Sequence, residues 1–237
     1  MIGFRLPGFR RFVIAAWAAL ALAASPLALA QSEADPLEPL NRAIFGFNDA
    51  LDGAVIKPVA QAYAEHVPAP LRTAIGNFMN NLLEPWSALN NLLQGKPERA
   101  VSDVGRFLVN TVLTLGLGDV ATEFGLERTG EDLGQTLGVW GFGAGPYLVL
   151  PVLGPSSLRD GVGRVTAIVY DPSRKISSGS EFAAFTAVRI VDLRAELLPM
   201  DKLIDSAALD RYSFIRNAYL QRRQSLIEDR SSSPTKE

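Results

Sequence analysis

Prolines divide most of the chain into short segments, and this division limits the folds that the sequence can adopt. Pro36, Pro58, Pro85 and Pro97 each precede a segment whose apolar residues recur every three or four positions. Proline lacks a backbone N–H and clashes with the preceding turn, so a helix tolerates it in the first turn but not in the interior. Apolar residues at this spacing indicate amphipathic helices. The sequence therefore predicts a mainly α-helical fold made of short helices.

Capping residues set the expected boundaries of these helices. Asp35, Pro36 and Glu38 form a box-like helix start in which Asp35 is the N-cap residue. Gly95 and Gly116 are expected to end two of the helices, because glycine readily adopts the left-handed conformation that is common just after a helix. These signals predict where helices begin and end, but not which face of each helix is buried.

The C-terminal part of the chain gives two further helices. Pro199 is expected to end a helix whose apolar face begins near Phe182, because proline breaks a helix interior. A last helix is predicted from about Leu203 to Glu228. Residues 231–237 are polar and are expected to form a disordered tail.

A long apolar stripe follows Pro97. Its members are Val101, Val104, Leu108, Val112 and Leu115. No stretch after residue 30 contains 18 continuous apolar residues, so the sequence predicts no conventional transmembrane helix. A compact soluble domain would explain that absence. Helices lying in one leaflet of a membrane would explain both the absence and the apolar loop that follows.

Residues 138–155 combine glycine, proline and aromatic side chains in an apolar segment. Gly141, Gly143 and Gly145 alternate with aromatic and small residues, and several prolines interrupt any regular helix. We predict an apolar loop or hairpin. Because surface loops are normally polar, such a segment requires a core, a partner or lipid against it.

Residues 1–30 have the pattern of a secretory signal peptide. Three arginines within the first eleven residues form a positive n-region, an apolar run follows at 12–22, and Ala-Leu-Ala at 28–30 is a small-x-small cleavage site. A permanent N-terminal membrane anchor is the alternative, since the apolar run lengthens when it is read through Pro26. Both interpretations export the remainder of the chain, whose residues 31–230 are expected to form the folded domain.

The composition excludes several classes of function. The chain contains 23 Lys+Arg and 25 Asp+Glu and has a formal net charge of -2, so it lacks the basic footprint of a nucleic-acid-binding protein. It has no cysteine and one histidine, His66. This excludes a disulfide framework, a thiol nucleophile and a multi-histidine metal cluster. We predict no cofactor and no metal.

The sequence contains no recognisable catalytic motif. G-x-S-x-G and H-E-x-x-H are both absent. The glycines at 141, 143 and 145 do not have the spacing of a dinucleotide-binding loop. A Ser-His-Asp triad would have to use His66, which stands at a predicted helix end before Pro68, a position typical of a helix-dipole partner. We therefore predict that the protein is not an enzyme and keep an envelope hydrolase as the least favoured class.

Several motifs follow one another in a fixed order along the chain. They are D-P-L-E-P-L-N-R at 35–42, F-G-F-N at 45–48, N-L-L-E-P at 81–85, R-F-L-V-N-T at 106–111 and L-G-V-W-G-F-G-A-G-P-Y at 137–147. Separate motifs in one register are more specific than any single motif. Together they resemble the MlaA/VacJ family, over about residues 35–223.

The resemblance implies a fold and a function. Family members form a ring of helices in the inner leaflet of the outer membrane. We therefore expect a ring-like bundle of short amphipathic helices lying in one leaflet, with a glycine-rich apolar hairpin. Members take mislocalised phospholipid from the outer leaflet through a channel beside a porin trimer and pass it to a periplasmic lipid carrier. The implied function is phospholipid transport that maintains outer-membrane lipid asymmetry, at the periplasmic face of that membrane.

The resemblance also implies candidate residues for the channel and lipid path. They are Asn41, Phe47, Asn48, Gly141, Phe142, Gly143, Gly145 and Tyr147. The first three fall in the N-terminal helix that is functionally sensitive in the family, and the others fall in its mobile hairpin near the channel. We expect the hairpin glycines to act as a hinge that gates the path.

Membrane attachment and solubility are open at the level of sequence. Many family members are lipoproteins with a lipobox cysteine, whereas this chain has Ala30-Gln31 at the expected cleavage site. Attachment would then depend on the apolar surface of the protein and on the porin. The alternative function is a soluble periplasmic lipid-binding or scaffold protein of the envelope.

Overall fold

The computed structural model describes residues 35–170 and 179–228. The predicted signal peptide and the predicted polar tail lie outside these ranges. The fold is mainly α-helical, as predicted. The helices before the hairpin are α1 (Glu38–Leu51), α2 (Lys57–His66), α3 (Ala69–Asn81), α4 (Glu84–Leu93), α5 (Pro97–Thr114) and α6 (Leu133–Val139). The hairpin strands β1 (Tyr147–Leu150) and β2 (Gly154–Ser157) precede α7 (Leu158–Tyr170), α8 (Gly179–Ala207) and α9 (Arg211–Ile227).

A wide helical turn joins α1 to α2. Residues Asp52–Ile56 form a π-helical turn, and the N–H of Lys57 donates to the carbonyl of Asp52, five residues earlier. Pro58 follows directly and has no N–H to offer an α-helical bond. The π turn therefore accommodates the proline, and the chain stays helical from α1 into α2. The sequence had predicted a separate helix start at this proline.

Three predicted boundaries are wrong. The last helix, α9, begins at Arg211 and not near Leu203, which belongs to α8. α1 begins at Glu38 after Leu37, not after Asp35, although an Asp35 carboxylate oxygen accepts the N–H of Leu37 at 3.0 Å. Pro199 lies inside α8, which continues to Ala207. An ion pair of 2.9 Å from Arg194 to Asp201 spans the proline, so side-chain contacts hold the helix together where one backbone bond is missing.

Other boundaries agree with the capping signals. Gly95 and Gly116 have positive φ angles of 76° and 82° and follow the ends of α4 and α5. Asp132 caps α6 by accepting the N–H of Gln135 at 2.8 Å. The N–H of Asp160 donates to the Ser157 hydroxyl at the start of α7. These local hydrogen bonds explain why short-range sequence signals were sufficient there.

The apolar segment at 138–155 contains a two-stranded antiparallel hairpin, as expected. Tyr147 pairs with Ser157, and Leu150 pairs with Gly154. Gly141, Gly143 and Gly145 lie in the segment that leads into β1, outside both strands. Val152 in the turn has a φ of 66°, and Gly154, the first residue of β2, has a φ of 74°.

Helix packing is closest where small residues meet. α4 packs on α5, α6 on α7, and α8 on both α2 and α3, while α1 and α7 contact the hairpin. A Cβ at Gly163 on α7 would lie 2.7 Å from the backbone nitrogen of Gly134 on α6. Only glycine allows the two helix backbones to approach this closely.

Burial along α5 is the reverse of that in a water-soluble helix. The apolar stripe is exposed, with relative exposures of 72% for Val101 and 76% for Val112. The opposite face buries Asp103, Arg106 and Asn110, at 0%, 2% and 3%. Soluble proteins normally bury the apolar stripe of a helix and leave ionisable side chains in water. The same inversion extends across much of the fold, because buried polar residues outnumber buried apolar ones among the described residues.

Two small apolar clusters complete the interior. Leu133 and Leu137 on α6 pack with Trp86, Phe142 and Val162. The second cluster contains Tyr147 and Val149 of β1 with Tyr212 of α9. In the two described ranges, no helix has both the length and the apolar character that crossing a membrane requires.

Candidate functional site

A group of buried polar side chains lies on and beside α3, α4, α5 and α6, and we call it the polar interior. Its members are Asn81, Glu84, Ser87, Asn90, Asn91, Asp103, Arg106, Asn110, Glu131, Gln135 and Thr136. Burying this many polar groups is unfavourable unless hydrogen bonds satisfy them. The arrangement of those bonds defines the site.

A buried ion pair lies at the centre of the polar interior. The Nε of Arg106 donates to Oε1 of Glu84 at 3.0 Å, and its Nη2 donates to Asp119 at 2.8 Å. Burial raises the pKa of the Glu84 carboxyl above its ordinary value, while the hydrogen bond from Arg106 opposes this rise. Oε2 of Glu84 has no hydrogen-bond donor among the described residues. The pair therefore leaves one buried acceptor without a protein donor.

A second network joins α4, α5 and the loop before α6. Asp103 accepts from Asn91 and from Thr129, each at 2.8 Å. Ser87 lies 2.9 Å from Thr129 and accepts the N–H of Glu131. Short polar side chains link these elements directly. Hydrogen bonds, and not apolar packing, therefore fill this part of the interior.

Two cavities adjoin the polar interior. The smaller has a volume of about 20 Å³ and is lined by Asn77, Asn80, Asn81, Glu84, Arg106, Asn110, Asp119 and Arg128. The larger, of about 220 Å³, lies between α3 and α8. Asn77 and Asn80 line both cavities. Polar side chains thus continue from the buried ion pair to the surface between α3 and α8.

Asn41 and Asn48 bind the hairpin to α1. Asn41 is fully buried; its Nδ2 donates to the Tyr147 carbonyl, and its Oδ1 accepts the Val149 N–H, both at 2.9 Å. Asn48, two helical turns later, repeats the pattern with the Leu150 carbonyl at 2.9 Å and the Val152 N–H at 2.8 Å. Each carboxamide pairs with the strand edge as another peptide group would.

Tyr147 is buried at the base of the hairpin. Its ring contacts the rings of Tyr212 and Tyr219 of α9, each with a centroid distance of 6.1 Å. Asp35 accepts hydrogen bonds from both Asn41 and Tyr212. Burial raises the pKa of the Tyr147 phenol to about 12. This cluster therefore fixes β1 between α1 and α9.

Two of the three hairpin glycines occupy open space. A Cβ at Gly141 or Gly143 would meet no atom within 4 Å, whereas one at Gly145 would lie 3.1 Å from the Cβ of Leu158. Gly141 and Gly145 have positive φ angles of 89° and 68°. Phe142, between them, packs against the Leu133 and Leu137 cluster. Gly141 and Gly143 are therefore unobstructed, while packing restrains their neighbours.

Large apolar side chains cover much of the outer surface. Phe47 is 56% exposed. Similar exposure is found on α4 and α5 for Leu89, Leu92, Leu93, Val104, Leu108 and Leu113, and just beyond them for Leu115 and Phe124. Extended apolar surface of this kind marks a protein or membrane contact.

The structure brings together only some of the residues predicted for the lipid path. Asn41, Asn48 and Tyr147 meet at the strand edge of the hairpin, while Phe47 lies on the outer surface. Sequence reasoning missed the Glu84 and Arg106 pair and the cavity between α3 and α8. The available signal was polar residues recurring at helical spacing on α3 and α5, opposite the apolar stripes.

His66 lies at the end of α2, as the sequence predicted. It is exposed in the last turn, and its Nδ1 lies 2.8 Å from the carbonyl oxygen of Ala62. In the part of the chain that the structure describes, no three His, Asp or Glu side chains are grouped to hold a metal ion.

Comparison with known proteins assigns the family. A family model described as MlaA lipoprotein matches residues 33–226. The chain belongs to the MlaA family. It is 37% identical over 197 residues to the intermembrane phospholipid transport system lipoprotein MlaA of Escherichia coli (strain K12), covering 81% of this chain and 78% of that protein. The MlaA protein of Haemophilus influenzae is 33% identical over 201 residues, covering 82% and 80%.

A solved structure of the family agrees with the fold. It belongs to a study of the structural basis for maintenance of bacterial outer membrane lipid asymmetry. It matches with a TM-score of 0.72 and 38% sequence identity, covering 82% of this chain and all of that chain. The relatives in E. coli and H. influenzae are named lipoproteins, whereas the present sequence contains no cysteine.

Proposed function

We propose that this chain is a phospholipid transport protein that maintains the lipid asymmetry of the bacterial outer membrane. The inverted distribution of side chains supports this function, because apolar residues face outward and polar residues line the interior. The names of its MlaA relatives refer to intermembrane phospholipid transport. The matched solved structure concerns outer-membrane lipid asymmetry.

The exposed apolar faces support placement in one membrane leaflet. Val101 and Val112 would cost free energy in water at roughly 25 cal/mol per Å² of apolar surface, and lipid removes that cost. A soluble lipid-binding or scaffold protein would instead bury these stripes. The ring-like arrangement that the family resemblance implies belongs to the same proposal.

The polar interior would carry the lipid headgroup while the acyl chains remain against apolar surface. A headgroup crossing hydrocarbon alone loses its hydrogen bonds to water, and buried amides and charged groups replace part of them. Moving a lipid forms no covalent bond, so the path requires neither base nor nucleophile. We therefore propose transport without catalysis.

The hairpin is the proposed gate. Asn41 and Asn48 hold the strand edge, while Gly141 and Gly143 have open space around them. Rotation at these glycines would move the segment between α6 and β1 while the strand edge stays anchored. The anchored edge and the open hinge together favour two discrete positions over continuous motion.

We also propose the partners and the export route that the sequence predicts. Outward apolar surface can bind an outer-membrane porin trimer as well as lipid, and a periplasmic lipid carrier would receive the phospholipid. A signal peptide at 1–30 would direct export and then be removed. With no cysteine to carry a lipid, attachment would depend on the apolar faces and the porin.

Surface-exposed phospholipid in cells that lack the gene tests the proposal. An outer-leaflet acyltransferase reporter should give a higher signal in the deletion strain, and the wild-type gene should reverse it. A Gly143→Pro variant should fail to reverse it, because proline removes the hinge freedom. Gly53→Ala is the matched control, since a Cβ at Gly53 meets no atom within 4 Å.

Two results would contradict different parts of the proposal. Unchanged surface phospholipid in the deletion strain would refute lipid transport. Full complementation by Gly143→Pro at wild-type abundance would refute the hinge while leaving transport intact.

A further inference from the structure

The larger cavity is lined by charged and polar side chains of two helices. Six residues of α3 line one side, at spacings of three and four positions: Ala69, Arg72, Thr73, Gly76, Asn77 and Asn80. Asp192, Ala195 and Glu196 of α8 line the other side. We call this cavity the α3–α8 cleft. Its volume of about 220 Å³ is several times the roughly 30 Å³ that one water occupies in the liquid, so it can hold a small polar group.

One cation and two anions face the cleft without pairing with each other. The Nε of Arg72 donates to the Val67 carbonyl at 3.1 Å, and no described residue forms an ion pair with its guanidinium. Asp192 is 5% exposed, and its Oδ1 accepts the Tyr63 hydroxyl at 2.8 Å. No hydrogen bond from a described residue reaches Glu196. These three charged side chains thus line the cleft without forming an ion pair among the described residues.

Gly76 leaves the space beside the two carboxylates unfilled. It lies inside α3, where glycine costs about 1 kcal/mol relative to alanine. A Cβ there would lie 3.4 Å from Oδ2 of Asp192 and 3.7 Å from Oε1 of Glu196. A methyl group would therefore cover the oxygens that now face the cavity.

Buried acceptors continue from the cleft into the polar interior. The smaller cavity shares Asn77 and Asn80 with the cleft, and Asn81 and Glu84 also line it. Both side chains are at most 5% exposed, and Oδ1 of Asn81 and Oε2 of Glu84 have no donor among the described residues. Buried acceptors without protein donors are suited to a ligand, or a water, that carries N–H or O–H groups.

We propose that the α3–α8 cleft binds a headgroup carrying an ammonium beside a phosphodiester, as in phosphatidylethanolamine. The ammonium lies against Asp192 and Glu196, and the phosphate lies against Arg72, which binds phosphate through charge-assisted hydrogen bonds. An anionic headgroup such as phosphatidylglycerol has no positive group to satisfy the carboxylates. The inference rests on the proposed lipid transport and adds a preference for one headgroup class.

Native mass spectrometry of the full chain in detergent measures this preference directly. An equimolar mixture of phosphatidylethanolamine and phosphatidylglycerol with identical acyl chains should give wild-type complexes enriched in phosphatidylethanolamine. Removing one charged hydrogen-bond partner should lower that enrichment about tenfold, so Glu196→Gln should bring the ratio towards one. Glu65→Gln, at an exposed position outside the cleft, is the matched control and should keep the wild-type ratio.

Two further variants separate recognition from folding. Arg72→Gln should lower binding of both lipids, because both contain the phosphate. Gly76→Ala should raise the thermal stability of the helix and yet lower phosphatidylethanolamine binding, since the methyl group covers the carboxylates. A variant that merely damaged the fold would lose stability together with binding.

A soluble competitor identifies the source of the headgroup. Glycerophosphoethanolamine has the same polar groups without acyl chains, and it should compete only at much higher concentration than the lipid. Equal affinity would assign the cleft to a soluble phosphoethanolamine compound and overturn the lipid assignment.

The remaining outcomes also decide the inference. A wild-type ratio of one, or a ratio unchanged in Glu196→Gln, would overturn the headgroup preference while the cellular surface-phospholipid result still supported transport. Absence of any bound lipid together with an unchanged cellular signal would refute both proposals.

Discussion

Replacement of Asn41 by leucine should destabilise the protein more than the same replacement at Asn48. Both asparagines pair with the edge of β1, but only Asn41 is fully buried. Leucine at 41 leaves the Tyr147 carbonyl and the Val149 N–H without partners in a site that water does not reach. Each buried polar group left unpaired costs about 1–3 kcal/mol, so the expected loss is about 2–6 kcal/mol.

Asn48 forms the same kind of bonds as Asn41, but its bonds are more exposed to water. The bond from the Val152 N–H to Asn48 is exposed, and the bond from Asn48 to the Leu150 carbonyl is only partly buried. Water can replace Asn48 at both groups, so each lost bond costs only its net value of about 0.5–1.5 kcal/mol. The expected loss for Asn48→Leu is therefore about 1–3 kcal/mol.

Denaturant unfolding of the detergent-solubilised full chain measures both losses. Amide hydrogen exchange adds a local readout: the Val149 amide should exchange faster in Asn41→Leu, and the Val152 amide in Asn48→Leu. Equal destabilisation by the two variants would refute the reasoning. So would a Val149 amide that stays equally protected in Asn41→Leu.

An aspartate at position 41 provides an isosteric control. It keeps an acceptor for the Val149 N–H but replaces the donor that lies 3.1 Å from an Asp35 oxygen with a second carboxylate oxygen. Two carboxylates this close cannot both ionise at low cost, so one pKa is raised. The penalty should be present near neutral pH and diminish as the pH falls through that raised pKa.

Two further predictions concern α6 and α7. The pKa of Asp160 is held low because the charges of Arg223 and Arg159 outweigh the effect of burial. Its contribution to stability should therefore be present above pH 3.8 and lost below it, and Asp160→Asn should flatten the acid limb of a thermal-stability curve. Gly163→Ala should destabilise by about 1–3 kcal/mol, because the new Cβ would overlap the Gly134 backbone. Denaturant unfolding would contradict this if Gly163→Ala unfolded like wild type.

Local signals predicted the elements well because short-range contacts decide them. The glycines after α4 and α5, the Asp132 cap and the apolar hairpin all depend on residues a few positions apart. Pro199 shows the limit of such signals. A proline normally ends a helix, yet α8, which packs on α2 and α3, stays helical across that position, where the Arg194–Asp201 ion pair spans the proline.

The candidate site was only partly predictable for the same reason. Asn41 and Asn48 stand out in the motif of the N-terminal helix, but their partners lie more than 100 residues later in β1. The cleft requires α3 and α8 to meet, and no pattern within either helix specifies that meeting. Tertiary contacts between distant segments therefore determined which polar residues share a cavity.

The sequence by itself determined the helical class, most helix starts and the family. Proline geometry, glycine caps and apolar spacing act within a few residues, and several motifs in one order identify the family. Only the tertiary structure decided which face of each helix is buried. The stripe of Val101 and Val112 has the same periodicity whether it faces a core or lipid, and the buried Glu84 and Arg106 pair on the other side settles the orientation. A helical period specifies an amphipathic helix, but the surrounding solvent determines which of its faces is turned inward.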